Sequence, residues 1–391
     1  MTSLAPQLAA ASARERHRRA DALQRLLVEE GLDVLVLAGA DYRGHKGVLR
    51  WVADYNLAHR YGFAVVPPGG EPELLLPENL GMGRRGSWDV PTRYVRRTGA
   101  GLVERLRELG APARIGVVGL GQVMKVEDYL ALRAGFPQAE IVDVGDAFER
   151  LRARKTPEEL EGVRESTRIA EACFERLLEV TRPGVTERAV GAAMYERCFA
   201  LGGEDPLFLS MHGVEEGGRV RGQFGIPADR VLEQGSQFIF SFELVGRLGY
   251  WMEFARMVVL GEPTELHVRM NAAVRAGLEA AAAAMVTGAA PADVQAALLA
   301  AVEGHGATST YWSGHGLGQD VIEEPWVGLE VVQERDAVGA WSIQPDMAIA
   351  MHPYVADVDG RAMGYMADTF LTGDGPAEPV SQVSLDLHVL A

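Results

Sequence analysis

The sequence predicts two domains in series, an α/β domain over residues 1–150 and an α+β domain over residues 151–391. Three observations carry this reading. Short apolar runs alternate with helix-periodic segments through the first 150 residues, the pattern of a sheet with both faces covered by helices. A complete helix-start signal then appears at Thr156-Pro157-Glu158-Glu159, where Thr156 can cap, Pro157 occupies the first turn and Glu159 completes a capping box. Beyond it the order helix, helix, strands occurs twice with no low-complexity linker, a duplication of architecture. A chain of 391 residues accommodates two such domains.

In order, residues 14–31 form a helix with Ala20, Leu23, Leu26 and Leu27 on one face. Strands are predicted at 32–38, 63–66 and 73–76, the last two separated by the turn at 67–70. A helix near 100–110, a strand at 115–118, a helix over 126–134 and a strand at 141–144 complete the first domain. Gly119-Leu120-Gly121-Gln122 follows a strand, yet it lacks the third glycine and the downstream acid of a dinucleotide loop. In the second domain a long helix runs to about 179 and stops at Arg182-Pro183-Gly184, and a second helix begins at Thr186-Glu187. Strands at 237–243 and 249–259, helices at 264–287 and 291–304, and strands from 312 onward, including 347–351 and 363–371, follow.

Composition narrows the function classes. A formal net charge of −16 excludes a nucleic-acid partner by long-range repulsion and tolerates a cationic or zwitterionic small substrate. No apolar run reaches the ~20 residues of a membrane span. The first 20 residues lack the apolar core and cleavage site of a secretory signal, and Cys173 and Cys198 have no metal-ligand spacing. Both features predict a cytoplasmic enzyme with reduced thiols.

Four residues stand out chemically. His315 lies among Gly314, Gly316 and Gly318, and glycine permits either positive φ or close approach of the backbone to a ligand. Glu253 sits in an apolar, aromatic strand, Glu243 lies on the preceding strand, and His352 follows the apolar stretch 347–351. An ionisable group in such surroundings must be paired, neutralised or functional.

The order of these motifs resembles the pita-bread family of creatinases, methionine aminopeptidases and Xaa-Pro aminopeptidases, and the resemblance covers nearly the whole chain. Residues 225–235 resemble the turn before the first metal-bearing strand. Gly249-Tyr250…Glu253…Arg256, Gly314-His315-Gly316-Leu317-Gly318, Gln344-Pro345…His352-Pro353 and residues 364–369 resemble its later motifs. The resemblance implies an α/β N-terminal domain and an α+β pita-bread domain. It also implies a homodimer in which the N-terminal domain of one subunit, through residues 51–61, covers the partner's pocket.

Departures from the family pattern matter as much. The first metal-binding Asp position falls on Phe242, which leaves Glu243 one residue off and on the opposite face. The second is Glu253 and the family's His is His315. The first family Glu is replaced by His352, and the last falls on Ala367 beside Asp368. Two proton-handling histidines of the peptidases fall on Phe224 and Ile322. The resemblance therefore implies that the chain is no dinuclear peptidase. Glu253, His315 and His352 either hold a single divalent ion, as a 2-His-1-carboxylate set can, or perform acid–base work with no metal. His212 is a further acid–base candidate. Tyr250, Trp251, Trp312, Trp326 and Phe224 can wall the pocket, suiting a cationic group. Arg219 and Arg221 can hold a substrate carboxylate, and Glu243 joins them as a substrate-binding candidate. The expected activity is hydrolysis or elimination at a C–N or related bond of a small zwitterionic or amino-acid-derived substrate. The alternatives are a non-catalytic peptide- or protein-binding domain and a mononuclear metallohydrolase.

Overall fold

The computed structural model describes residues 4–78, 83–86, 88–212, 224–330 and 341–391. The chain divides into two units, Met1–Arg152 and Ala153–Ala391. No helix among the described residues is long and apolar enough to cross a membrane.

The first unit runs α1 (Leu4–Glu29), β1 (Val34–Ala40), α2 (Gly47–Ala53), β2 (Tyr55–Leu57), β3 (Tyr61–Val66), β4 (Glu73–Pro77) and β5 (Gly83–Arg85). It continues with β6 (Thr92–Val95), α3 (Thr98–Glu108), β7 (Arg114–Val118), α4 (Val126–Gly135), β8 (Glu140–Asp143) and α5 (Gly145–Ala153). Its main sheet has the order β6-β4-β3-β1-β7-β8. β1 is parallel to β7 and antiparallel to β3. Alternation along β1 divides its side chains between two cores. Leu35 and Leu37 pack with Leu23, Leu26 and Phe148, while Val34 and Val36 pack with Leu102, Leu106 and Leu132. Burial on both faces is why this strand reads as an unbroken apolar run.

The second unit opens with α6 (Pro157–Val180) and α7 (Glu187–Ala200), followed by β9 (Glu204–His212), β10 (Gln237–Val245) and β11 (Trp251–Leu260). Then come α8 (Glu265–Ala284), α9 (Pro291–Glu303), β12 (Ala307–Ser309), β13 (Trp312–Gly316), β14 (Glu323–Gly328) and β15 (Ala348–Met351). β16 (Tyr354–Asp357), β17 (Met363–Tyr365), β18 (Asp368–Leu371), β19 (Glu378–Pro379) and β20 (His388–Leu390) complete it. The capping box forms as expected: the Thr156 hydroxyl accepts from the Glu159 N–H, and the Glu159 carboxylate accepts from the Thr156 N–H at 2.8 Å.

Two sheets carry the chemistry, one of order β20-β11-β10-β9 and one of order β14-β13-β15-β18-β19. On the first, Phe238, Phe240, Phe242 and Phe254 pack with Phe174, Cys173 and Val190 of α6 and α7. Its other face carries Ile239, Ala255 and Met257 into a core shared with Met270, Val274 and Leu298 of α8 and α9. The stretch expected as one strand over 363–371 is two, pairing with β16 and β15 respectively. The break falls where Ala367 leaves the second sheet to bridge Ala255 of β11, its carbonyl accepting from the Ala255 N–H at 3.0 Å. That bridge joins the two sheets.

Candidate functional site

β10 and β11 pair antiparallel with Glu243 directly opposite Glu253, Phe242 opposite Phe254 and Ser241 opposite Ala255. Residues directly opposed across a ladder point to the same face. Ser241, Glu243 and Glu253 therefore share one face, and the expectation that Glu243 points away is corrected. The reason is a hairpin closing at Val245 and Trp251, whose register places the odd-numbered residues together. Phe242 faces the helices, edge-on to Phe174 and Phe254.

His315 comes from the second sheet, opposite Ala350 of β15 and Trp326 of β14. Its flanking glycines serve close approach rather than positive φ. A Cβ on Gly316 would lie 2.2 Å from the Glu324 carbonyl oxygen, and one on Gly314 would lie 2.6 Å from the Ala350 carbonyl oxygen. His352 extends the same ladder one step past β15, its N–H donating to the Ser313 carbonyl at 2.7 Å. Being two residues beyond Ala350, it shares the face of His315.

The two sheets bring these groups together. One ligand atom from each of Glu253, His315 and His352 lies within 4.8 Å of the other two. His315 Nε2 is 3.2 Å from Glu253 Oε1, and the two imidazoles are 5.1 Å apart between centroids. His315 Nδ1 lies 2.9 Å from the Gly316 carbonyl oxygen, the contact that fixes the tautomer of a ligating imidazole and leaves Nε2 toward the cluster. Thr369 holds Glu253 from behind, its hydroxyl accepting from the Glu253 N–H and donating to the Glu253 carbonyl, each at 3.0 Å.

Electrostatics follow from this burial. Glu253 and His315 are buried, and His352 is partly exposed. Burial pushes the Glu253 carboxyl up, but His315 and His352 beside it hold it below the ordinary value. Burial pulls His315 down, and the Glu253 carboxylate outweighs it, so the imidazole is raised. His352 is carried down to about 4, chiefly by burial and also by His315. Without an ion, the cluster is thus a Glu253–His315 ion pair beside a neutral His352.

Aromatic rings surround the cluster. Trp312 is edge-on to His352 and to Trp326, each at 5.3 Å, and Trp326 lies 5.5 Å from His315. Tyr365 stacks on His352 at 6.3 Å and meets Phe224 at 4.5 Å. Its hydroxyl is bonded to Ser241, and burial with the nearby Glu253 and Glu243 charges keeps the phenol protonated. Sequence reasoning missed Tyr365 and Thr369. The one available signal was their position on either side of Ala367.

Several sequence candidates fall elsewhere. His212 pairs opposite Phe238 on the helix-facing side of β9, hydrogen-bonded to Glu187 of α7, because alternation puts it with Phe208 and Ser210. It is a structural partner, not part of the cluster. Tyr250 also faces the helices: its hydroxyl donates to Glu159 at 2.9 Å and its carbonyl accepts from Ser166 at 2.6 Å. Trp251 shares the Glu253 face but is buried among Leu317, Val321 and Ala350, and its indole N–H donates to the Gln319 carbonyl at 3.1 Å. Arg219 and Arg221 lie outside the described residues. Ile322 packs against Trp326.

The donor set suits one divalent ion with open positions. Other acids of the second sheet are engaged elsewhere: Asp368 pairs with Arg256 at 2.7 Å, Glu323 with Lys155 at 3.1 Å, and Glu324 accepts from the Trp326 N–H at 3.1 Å. Ala367 offers no donor.

Comparison with known proteins places the geometry in context. The model described as metallopeptidase family M24 matches residues 161–374, and that of the creatinase/prolidase N-terminal domain matches residues 19–154. An uncharacterized peptidase of Bacillus subtilis is 26% identical over 236 residues, which cover 59% of this chain and 64% of that protein. A Xaa-Pro dipeptidase of Lactobacillus delbrueckii subsp. lactis is 29% identical over 275 residues, covering 68% of this chain and 70% of that protein. The X-Pro aminopeptidase of Thermotoga maritima superposes with a TM-score of 0.79 at 16% identity, covering 95% of this chain and 99% of that one. A Xaa-Pro dipeptidase from Bacillus anthracis gives 0.75 at 18%, covering 96% and 100%. At those identities the structural likeness shows a shared fold.

Proposed function

Because this chain belongs to metallopeptidase family M24, we propose that it is a hydrolase of a C–N bond in a small amino-acid-derived or zwitterionic substrate, working with a single divalent ion. The observation that carries the reading is the convergence of Glu253, His315 and His352 within 4.8 Å. Those three residues would hold the ion, which supplies Lewis acidity toward a scissile carbonyl. The chain's own groups do the rest. Glu243, across the ladder from Glu253 and partly exposed, takes the proton of the attacking water and returns it to the leaving nitrogen. Tyr365, kept neutral and held by Ser241, donates a hydrogen bond toward the charge that develops on the carbonyl oxygen. Trp312, Trp326 and Phe224 exclude water from the reacting face. The assembly we propose is a cytoplasmic homodimer, by likeness to the family.

The test is hydrolysis of a dipeptide panel by metal-stripped protein supplied with Mn²⁺, Co²⁺, Zn²⁺ or Fe²⁺. Activity returns on addition of an ion, and Glu243→Gln lowers kcat by roughly 10²–10⁴-fold with ion binding intact. Unchanged turnover in excess chelator refutes the metal-dependent reading. It would instead favour ion-free acid–base catalysis, which the direct Glu253–His315 contact at 3.2 Å makes the second reading.

A further inference from the structure

A buried ion pair near the cluster takes no part in the chemistry above. Lys155, just before α6, and Glu323, at the start of β14, have side chains only 2% and 1% exposed, with Lys155 Nζ 3.1 Å from Glu323 Oε2. Lys155 Nζ also donates to the Ala153 carbonyl at 3.0 Å. The other Glu323 oxygen accepts the N–H of Gln319 at 2.9 Å and of Asp320 at 3.2 Å. Those contacts curl residues 317–322 into a knot between β13 and β14.

The knot grips the opposite sheet. The Gly318 carbonyl accepts from the Trp251 N–H at 2.7 Å, and the Gln319 carbonyl accepts from the Trp251 indole at 3.1 Å. Trp251 stands two residues before Glu253 on the same face of β11. At the knot's other end, the Leu317 N–H donates to the Ala348 carbonyl at 2.8 Å, two residues after His315. Glu253 is therefore clamped from both sides, by Thr369 and the Ala255–Ala367 bridge beyond it and by the knot before it.

A buried ion pair gains little stability over apolar residues of the same volume. What an apolar pair cannot do is accept two backbone N–H groups and orient the carbonyls beyond them. We infer that Glu323, held by Lys155, is a positioning residue that fixes Glu253 against His315. Resting on the single-ion reading, this makes the Glu323 acceptor for Gln319 and Asp320 a determinant of ion affinity.

Two double variants separate geometry from stability. Lys155→Met/Glu323→Gln removes both charges but keeps an acceptor for Gln319 and Asp320, whereas Lys155→Met/Glu323→Leu removes the acceptor as well. The readouts are Mn²⁺ affinity by calorimetry and exchange protection of the Trp251 indole N–H by NMR in ion-free protein. The Gln variant retains indole protection and near-native affinity. The Leu variant loses protection and binds Mn²⁺ about 10–100-fold more weakly, the usual effect of outer-shell changes. A folded Leu variant with native protection and native affinity overturns the inference. Should the wild type bind no ion, the single-ion reading fails, and the indole protection alone decides whether Glu323 positions the knot.

Discussion

Arg256 offers the most quantitative test of how the two sheets are joined. The residue is 1% exposed, and its guanidinium carbon lies 4.3 Å from the Phe254 ring centroid. Nη2 donates to Asp368 at 2.7 Å and to the Val383 carbonyl at 2.8 Å. Nη1 donates to the carbonyls of Ala255 and Ala367 at 3.0 and 2.9 Å, and Nε to that of Ser384 at 3.0 Å. Arg256→Met keeps most of the packing volume but strands a buried carboxylate. Losing one partner of a buried pair costs about 3–5 kcal/mol. At roughly 2–4 °C per kcal/mol for a unit of this size, Tm falls by about 6–20 °C. Burial already pushes the Asp368 carboxyl up despite Arg256, so removing the cation pushes it further. A carboxyl raised in the folded state favours folding as pH falls through its folded pKa, so the deficit narrows in acid. Arg256→Met/Asp368→Leu removes both charges and recovers most of the loss. Thermal unfolding of the three proteins at pH 7 and pH 5 decides the matter. A single-variant shift below about 3 °C, or a double variant no better than the single, refutes the assignment of this pair as a buried tie.

Other outcomes follow from the same geometry. Because His315 is raised above its ordinary value by Glu253, the ion-free protein carries a proton there that a bound ion must expel. Calorimetry in two buffers of different ionisation enthalpy shows net proton release on binding, with affinity falling as pH drops; zero release contradicts the pairing. The stability from this pair is full below the unfolded histidine value and fades as pH rises through the raised one, so the ion-free protein's Tm declines on that side. Tyr250→Phe removes the hydrogen bond to Glu159, lowering stability by about 1–2 kcal/mol with KM unchanged. A large KM change would return Tyr250 to the substrate wall. His212→Asn weakens the contact with Glu187 and lowers Tm, while Mn²⁺ affinity stays native.

Much of this architecture is legible in the residues themselves. The capping box at Thr156 and the alternation of apolar runs before residue 150 are local signals, and local signals survive folding. His315 and Glu253 are legible because a charged group among glycines or apolar strand residues must have a purpose. What sequence spacing misplaces is face. Glu243 and Phe242 exchange sides on a single step of register, and only the closure of the β10–β11 hairpin at Val245 and Trp251 decides it. His212 fails for the same reason, one residue from the site-facing side of β9. Tyr365, Thr369 and Lys155 act through partners more than a hundred residues away or across two sheets, contacts that no local pattern encodes.

The proposed centre is a single-ion site made by Glu253, His315 and His352. Elemental analysis of purified protein, reconstituted with Mn²⁺ and freed of excess, counts the ions directly. A site of this kind gives one ion per chain in the wild type and none in folded His315→Ala or His352→Ala. Two ions per chain, or one that persists in both variants, would contradict it.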